Sequence, residues 1–313
     1  QIGYNWAAFA PGARIAMVDI DEAELRKPTL SVDLPVHGDV KLFLEVLLDR
    51  LGKTAFPDAH REYLAWCRER TAAYPVVLPS YLEKESPVNP YVFMDVLFDQ
   101  LAEDDVVVTG NGTACIAAFQ AGRTKAGQRL FSNSGSAPMG FDLPAAIGAA
   151  VGTGAKRVIC LTGDGSLMMN VQELQTISHH RLPVKIFLLD NAGYHSIRQT
   201  QHNYFPGPEV GIGPASGVGF PDWRLLAQAH GLAYARVSRH TGMAAAIADF
   251  LGAEGAGLCV MQIDPEQPFA PRVASRKLED GRMVSATLDD MAPFLAPEAQ
   301  QANRIYMTPW AQQ

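Results

Sequence analysis

The fold of this chain is decided by residues 161–194, LTGDGSLMMNVQELQTISHHRLPVKIFLLDNAGY. An apolar run ends at GDGS (163–166), a helical stretch follows, and a second apolar run ends at DNAGY (190–194). A strand–helix–strand unit takes about 30 residues and brings both strand ends to the same edge of a parallel sheet, where ligands of open α/β folds bind. We therefore predict that Asp164 and Asn191 converge at that edge.

The alternation of apolar runs with helical segments extends over most of the chain. Continuous apolar strands separated by helices are typical of a parallel sheet that is covered on both faces. The fold class is therefore predicted as α/β, a doubly wound parallel sheet with helices on both faces. Strands are expected at residues 105–109, 157–162, 184–189, 232–237 and 257–263.

Changes in this pattern divide the chain into four segments. Residues 1–51 combine a β-branched run with an amphipathic helix and are expected to be the C-terminal remnant of a central α/β domain whose earlier strands are missing. Residues 52–88 are rich in proline around one amphipathic helix and are predicted to be a linker. Residues 89–266 form the regular α/β domain, and residues 267–313, with weak periodicity, are predicted to wrap the surface as a tail.

Composition excludes several classes of protein. A length of 313 residues suggests about two domains, and 48% hydrophobic residues are enough for a full-sized core. The net charge is −7 and no block of Lys and Arg appears, so we expect no nucleic-acid partner. No apolar stretch reaches the roughly 18 residues that span a bilayer, and we expect no membrane partner.

The cysteines and the start of the sequence indicate its setting. The 4 cysteines are far apart without a CxxC pair, and Cys160 and Cys259 lie inside apolar runs, which predicts a reducing, cytoplasmic environment. The chain starts at Gln1 without a basic-then-apolar leader. Because its first element resembles the middle of a domain, we expect a truncated, cleaved or partly represented polypeptide.

The residue types at the predicted sheet edge suit a metal-bridged diphosphate. The carboxylate of Asp164, the amide oxygen of Asn191 and a loop carbonyl are hard oxygen ligands of the kind that Mg²⁺ prefers. Gly163 and Gly165 allow the backbone to approach a diphosphate closely. A helix expected to start near Asn170 would point its partial positive charge toward the same edge.

Other interpretations of these motifs remain open. GDGS or DNAG alone is typical of a tight turn, and only their occurrence at two strand ends one crossover apart favours a site. Residues 110–115, GNGTAC, contain the first two glycines of a dinucleotide fingerprint, but Cys115 replaces the third, which disfavours a nicotinamide site. A non-catalytic module that binds a nucleotide or a diphosphate is a further alternative.

GDGS followed one crossover later by DNAGY resembles the thiamine diphosphate motif shared by acetolactate synthases, pyruvate decarboxylases and benzoylformate decarboxylases. The resemblance implies thiamine diphosphate and Mg²⁺ as cofactors. It also implies that Asp164 and Asn191 are side-chain ligands of Mg²⁺ and that Gly193 offers its carbonyl. Ser166 would contact the diphosphate.

Two further segments resemble the same family. GNGTACIAAFQ (110–120) is similar to the first diphosphate-contacting turn, with Thr113 as a hydroxyl donor. SGSAPMGFDLPAAIGAA (134–150) is similar to the segment beneath the thiazolium, where Met139 would hold the cofactor bent and the backbone of Ala137 and Met139 would hold the aminopyrimidine. Without this context Met139 would be interpreted as a core gap-filler. The predicted cofactor-binding residues are Asn111, Gly112, Thr113, Ala137, Met139, Gly163, Gly165, Ser166 and Tyr194.

Residues 1–27 resemble the last strand of the central domain of acetolactate synthase-like enzymes, so the resemblance covers nearly the whole chain. The family's pyrimidine domain, which supplies the Glu that activates the cofactor, has no counterpart here. No catalytic residue is therefore assigned, and the chain alone is expected to be inactive. FAD is undecidable because most of the domain that would hold it is absent. The resemblance implies at least a dimer, either a homodimer or a homotetramer.

The resemblance implies decarboxylation of a 2-keto acid with carboligation to a carbonyl acceptor. Thr200 stands where biosynthetic acetolactate synthases carry Trp, and the insert 204–220 is more similar to acetolactate synthase-like enzymes of sugar and specialised-metabolite pathways. An unusual acceptor is therefore expected, and a simple 2-keto acid decarboxylase is the alternative. His195, Arg198 and Gln201 are predicted to lie on a helix that faces the site.

Overall fold

The computed structural model describes residues 6–10, 12–52, 54–55, 58–154, 156–205, 207–277 and 282–304. Contacts along the chain divide it into two compact units. One consists of residues 1–75 with 270–313, and the other of residues 76–269. The domain boundaries drawn from the sequence remain predictions.

The first unit begins as a small parallel α/β arrangement. A single 3₁₀ turn spans Trp6–Ala8, and the strands pair in parallel with Ala16 opposite Leu34. Asp39 caps the second helix, because its carboxylate accepts the N–H groups of Lys41 and Leu42. The elements are β1 (Ala16–Asp19), α1 (Glu22–Leu25), β2 (Leu34–His37), α2 (Val40–Leu51) and α3 (Asp58–Ala73).

The second unit is a six-stranded, wholly parallel sheet with helices on both faces, which confirms the predicted fold class. The strand order is β4-β3-β5-β6-β8-β7. Its elements are α4 (Pro90–Gln100), β3 (Val106–Thr109), α5 (Gly112–Ala121), β4 (Arg129–Phe131), α6 (Asp142–Gly152), β5 (Val158–Gly163), α7 (Asp164–Met169), α8 (Glu173–His179), β6 (Val184–Asp190), α9 (His195–Tyr204), α10 (Trp223–Ala229), β7 (Ala233–Val237), α11 (Met243–Gly252) and β8 (Gly257–Gln262).

The strand order creates a crevice at one edge of this sheet. From β3 the chain passes to β4 on one side and then returns to β5 on the other side. Connections that leave neighbouring strands in opposite directions open a space beyond their carboxyl ends, which is where open α/β folds bind ligands. The carboxyl ends of β3, β5 and β6 therefore face the predicted site.

Two apolar cores, one on each face, hold the sheet. Strand side chains alternate between the faces: on β5, Ile159 and Leu161 join one core, and Val158 and Cys160 join the other. Helices α4, α5 and α11 cover the first core, and α6, α8 and α10 cover the second. Burial on both faces explains why these strands are continuous apolar runs.

Two sequence predictions for this unit differ from the structure. The single helix expected to start near Asn170 is divided in two: α7 begins at Asp164 and has Asn170 as its C-cap, and α8 begins three residues later at Glu173. The strand β4 was not predicted, because three residues at the sheet edge, none of them fully buried, are too few for a periodic signal.

The C-terminal residues contain regular structure. Two antiparallel strands, β9 (Ser275–Lys277) and β10 (Met283–Ser285), precede helix α12 (Pro297–Asn303). Asn303 accepts a hydrogen bond from Arg70 of α3 at 2.9 Å and donates one to Tyr74. These contacts anchor the last helix within the first unit.

All four cysteines are free, and burial raises the pKa of Cys259 to about 12, so this thiol remains protonated and acts as a packing group. No described helix combines the length and apolarity that a membrane crossing needs.

We expect the buried ion pair beside β3 to be important for stability. Arg157 donates two hydrogen bonds to Asp105, at 2.7 and 2.5 Å, and the Asp105 side chain is 2% exposed. Arg157→Met leaves that carboxylate buried without its partner and should lower the free energy of unfolding by about 2–3 kcal/mol. Urea unfolding measures the loss. Arg123→Met, which breaks an exposed pair with Asp95, should cost about 0.5 kcal/mol or less, and equal losses would contradict the argument.

Candidate active site

A pocket of about 260 Å³ lies at the carboxyl ends of β3, β5 and β6. It brings together every predicted site residue except Ala137. Three residues that were not predicted as ligands, all in the first turn of α9, also line it. The lining residues are Asn111, Gly112, Thr113, Met139, Gly163, Asp164, Gly165, Ser166, Asn191, Gly193, Tyr194, His195, Ser196 and Ile197.

Asp164 is the buried acid of the pocket. Its side chain follows directly after β5, and the residue is 2% exposed. One carboxylate oxygen accepts the N–H of Gly165 at 2.7 Å and the other accepts the N–H of Gly193 at 2.8 Å. Burial raises the pKa of Asp164 to about 7, and these backbone N–H groups oppose the shift only in part. A buried carboxylate whose charge is incompletely compensated favours a cation beside it.

Two glycines keep the pocket open. A Cβ on Gly165 would lie 2.2 Å from a ring carbon of Tyr194, so no side chain fits there. Gly193 has a φ of +134°, and a Cβ would lie 2.1 Å from the carbonyl oxygen of Ile212. The backbone N–H of Tyr194 donates to that same carbonyl at 3.0 Å. The turn after β6 is therefore packed against the 212–213 backbone and requires glycine at its third position.

The opposite wall is a polar network that starts at Asn191. Its Nδ2 donates to Thr113 Oγ1 at 3.2 Å, and Thr113 Oγ1 lies 3.1 Å from Nδ1 of His195. Asn191 Oδ1 is buried and has no hydrogen-bond partner among the described residues. Burial, and secondarily the charge of Arg198, lower the pKa of His195 to about 4, so the imidazole is neutral near pH 7.

Ser166 connects the GDGS turn to the segment that carries Met139. Its hydroxyl accepts the N–H of Gly140 at 2.8 Å, and Asn170 donates to the carbonyl of Gly140 at 2.7 Å. These two bonds hold Gly140 from both sides and thereby place Met139 at the pocket. The helix stop at Asn170 thus has a structural function that the sequence did not reveal.

Ala137 lies next to the pocket and does not line it. It is exposed, has a φ of +45°, and its carbonyl accepts a hydrogen bond from Asn111 Nδ2 at 3.0 Å. The prediction that its backbone holds the aminopyrimidine stays a prediction. Its positive φ shows a constrained backbone directly before the Met139 segment.

Helix α9 supports the turn that follows β6. Arg198, which is 8% exposed, donates to the carbonyls of Asn191 and Ala192 at 3.2 and 3.1 Å. Gln201 makes paired hydrogen bonds with the backbone of Val210, which hold the following loop on the helix. Of the three residues predicted to face the site, only His195 lines the pocket.

Sequence reasoning missed Ser196 and Ile197. Both side chains are exposed at the pocket mouth, in the first turn of α9. Their position in the sequence could have identified them. They follow the predicted ligand loop directly, and the first turn of the next helix faces the same sheet edge as that loop.

Comparison with known proteins agrees with this geometry. The family described as "Thiamine pyrophosphate enzyme, C-terminal TPP binding domain" matches residues 110–263. This stretch begins one residue after β3 and ends one residue after β8, so it contains every residue that lines the pocket. The second unit is thus a domain of the thiamine pyrophosphate-binding class.

Similar proteins identify the family within this class to which the chain is related. The acetolactate synthase large subunit of Pyropia yezoensis is 32% identical over 273 residues, which are 86% of this chain and 45% of that protein. Acetolactate synthase isozyme 2 large subunit of Escherichia coli (strain K12) is 31% identical over 265 residues, 85% of this chain and 46% of that protein. The chain belongs to the acetolactate synthase-like family of thiamine diphosphate-dependent enzymes. It spans slightly less than half the length of these relatives.

The turn at Gly193 provides a test of this geometry. In Gly193→Ala the new methyl group collides with the Ile212 carbonyl at an unfavourable φ, so the free energy of unfolding should fall by about 2–3 kcal/mol. Thermal and urea unfolding measure the change. Gly148→Ala is the matched control, because Gly148 lies in helix α6 with nothing within 4 Å of the new methyl group. This variant should be about 0.5–1 kcal/mol more stable, and equal effects of the two substitutions would contradict the packing argument.

Proposed function

We propose that the pocket binds thiamine diphosphate together with Mg²⁺, and that Asp164, Asn191 and the carbonyl of Gly193 are the protein ligands of the metal. The observation that carries this proposal is the buried Asn191 Oδ1, which has no partner among the described residues and lines the same pocket as the Asp164 carboxylate. A buried polar atom without a partner is costly unless a ligand satisfies it.

The donor set supports Mg²⁺ in particular. A carboxylate, an amide oxygen and a backbone carbonyl are all hard oxygen donors, and neither sulfur nor imidazole is part of the proposed set. The two carboxylate oxygens of Asp164 accept the backbone N–H groups of Gly165 and Gly193, and each oxygen has two lone pairs, so acceptor capacity remains for a cation. The carboxylate is fixed before the metal arrives, which lowers the cost of binding.

The neighbouring groups suit the diphosphate. The ten-residue helix α5 begins at Gly112, at the pocket, so its first backbone N–H groups and its dipole favour an anion. Thr113 and Ser166 add hydroxyl groups from the first turns of two different helices, α5 and α7. Met139, on the remaining wall, offers an apolar surface to the rest of the cofactor. Asn111, Gly163, Gly165 and Tyr194 complete the proposed contacts.

We infer that the intact protein decarboxylates a 2-keto acid and transfers the remaining fragment to a carbonyl acceptor. When bound, thiamine diphosphate supplies the carbon nucleophile and the electron sink for this chemistry. The residues of this chain bind and orient the cofactor. The Glu that activates the cofactor is expected from a pyrimidine domain, so the chain alone should be inactive.

The acceptor is expected to differ from that of biosynthetic acetolactate synthases. The pocket mouth carries the small polar Ser196 and the aliphatic Ile197, and the exposed Thr200 follows one turn later on α9. A small hydroxyl side chain in place of Trp leaves room for a larger or more polar acceptor. We retain the cytoplasm as the expected location and a homodimer or homotetramer as the expected assembly.

Removal of the Asp164 carboxylate should strongly weaken the Mg²⁺-dependent binding of thiamine diphosphate. Calorimetric titration of thiamine diphosphate into the chain is expected to show binding that requires Mg²⁺, and Asp164→Asn should weaken it at least about 100-fold. Asp249→Asn is the matched control, because it makes the same change of charge at an exposed position of α11, outside the pocket lining. Its affinity should stay within about threefold of the unsubstituted chain. Binding of NAD or ADP without metal would support the non-catalytic alternative.

The reaction itself is tested on the intact protein. With thiamine diphosphate and Mg²⁺ it should release CO₂ from pyruvate or a related 2-keto acid, and the Asp164→Asn variant should release none above background. Product analysis separates a carboligase, which forms a hydroxy ketone with an added carbonyl compound, from a simple decarboxylase, which releases an aldehyde. Absence of CO₂ release from every 2-keto acid tested would refute the proposed activity.

A further inference from the structure

A buried histidine of the pocket lining contacts Thr113, one of the proposed cofactor-binding residues. His195 is 3% exposed, and its ring packs on Phe269 with 5.0 Å between centroids. Its Nδ1 is 3.1 Å from Thr113 Oγ1, and that oxygen accepts the Nδ2–H of Asn191 at 3.2 Å. A chain of hydrogen bonds therefore extends from the imidazole to the proposed metal ligand.

The contacts of the other ring nitrogen, Nε2, determine which group donates and which accepts in this series of hydrogen bonds. Nε2 of Gln199 donates to the carbonyl of Gln267 at 3.1 Å and lies 2.7 Å from Nε2 of His195. An amide NH₂ group has two hydrogens to donate and accepts none. Exchanging the amide oxygen and nitrogen would place two acceptors, Gln199 Oε1 and the Gln267 carbonyl, against each other. The Gln199 amide, 2.7 Å from Nε2 of His195, therefore assigns Nε2 as the acceptor and Nδ1 as the nitrogen that carries the proton, whereas the Gln267 carbonyl near the ring favours a proton on the imidazole and opposes this assignment.

This tautomer has a consequence for the hydroxyl group of Thr113. The hydroxyl oxygen accepts two hydrogen bonds, one from His195 Nδ1–H and one from Asn191 Nδ2–H, which occupies both of its lone pairs. Its own hydrogen remains for a ligand, and Thr113 lines the pocket. At the same time the anchored Nδ2 leaves Oδ1 as the free atom of Asn191.

We propose that His195 is a positioning residue, which makes Thr113 a donor toward the diphosphate and Asn191 an acceptor toward Mg²⁺ by donating Nδ1–H to the Thr113 hydroxyl. This inference rests on the proposed function, because that function provides the diphosphate and the metal. His195 itself contacts neither of them in this scheme. Its neutral, buried ring is suited to a fixed orientation.

Two substitutions separate positioning from packing. His195→Phe retains a ring against Phe269 and removes the donor, and it should weaken Mg²⁺-dependent binding of thiamine diphosphate about tenfold. His195→Asn restores an N–H donor near the position of Nδ1 and should bring the affinity back to within about threefold of the original. His230→Phe, at the half-buried C-cap of α10 and outside the pocket lining, is the control and should bind as the unsubstituted chain does. Urea unfolding of each variant shows whether stability changes in parallel.

The pairwise dependence is tested in a Thr113→Val background. There the hydroxyl is absent, so His195→Phe should cause no further loss of affinity. An additional loss equal to that in the unsubstituted chain would overturn the inference, since His195 would then act without Thr113. Failure of His195→Asn to restore binding, with stability unchanged, would overturn it as well.

The tautomer is measured without any cofactor. Nitrogen-15 NMR of the His195 imidazole should show the proton on Nδ1, and a proton on Nε2 would overturn the inference even if the cofactor binds. A chain that does not bind thiamine diphosphate in a Mg²⁺-dependent manner, yet shows the Nδ1–H form, would contradict the proposed function and retain the link from His195 to Thr113. The two failures are therefore distinguishable.

Discussion

One hydrogen bond joins the two loops on which the pocket depends. The backbone N–H of Gly193, after β6, donates to the carboxylate of Asp164, at the end of β5, over 2.8 Å. The parallel pairing of these two strands brings the groups to the same edge, and the second carboxylate oxygen is held by Gly165. These two backbone N–H groups hold the buried carboxylate in one orientation and offset part of the cost of burying its charge.

Much of this arrangement can be predicted from the sequence, because the relevant information is local. The strand Val184–Asp190 is apolar except for Lys185 near its start and Asp190 at its end, and this pattern marks both its burial and its end. Residues 163–166 and 190–194 consist of residue types that turns and oxygen-rich sites require. Their separation by one crossover then places them at one edge by the rules of parallel sheets.

The parts that escaped prediction depend on contacts between residues far apart in the sequence. His195 and Thr113 meet only because α9 packs against α5, and no periodicity reveals the pairing. The edge strand Arg129–Phe131 is defined by its pairing with β3 rather than by its own composition. Ala137 has a positive φ, which its residue type does not indicate, and it lies beside the pocket rather than in its lining.

The strand order also has a consequence for the time course of folding. Each parallel pair requires a crossover connection. The central strand β5 pairs with β3 and with β6, and each of these strands is separated from β5 in the sequence by at least one helix. The loops after β3, β5 and β6 therefore acquire their positions only when the centre of the sheet is complete. Long-range pairing of this kind is slow. A ligand of these loops can capture the finished sheet and prolong its lifetime, but it cannot serve as the nucleus on which the sheet assembles.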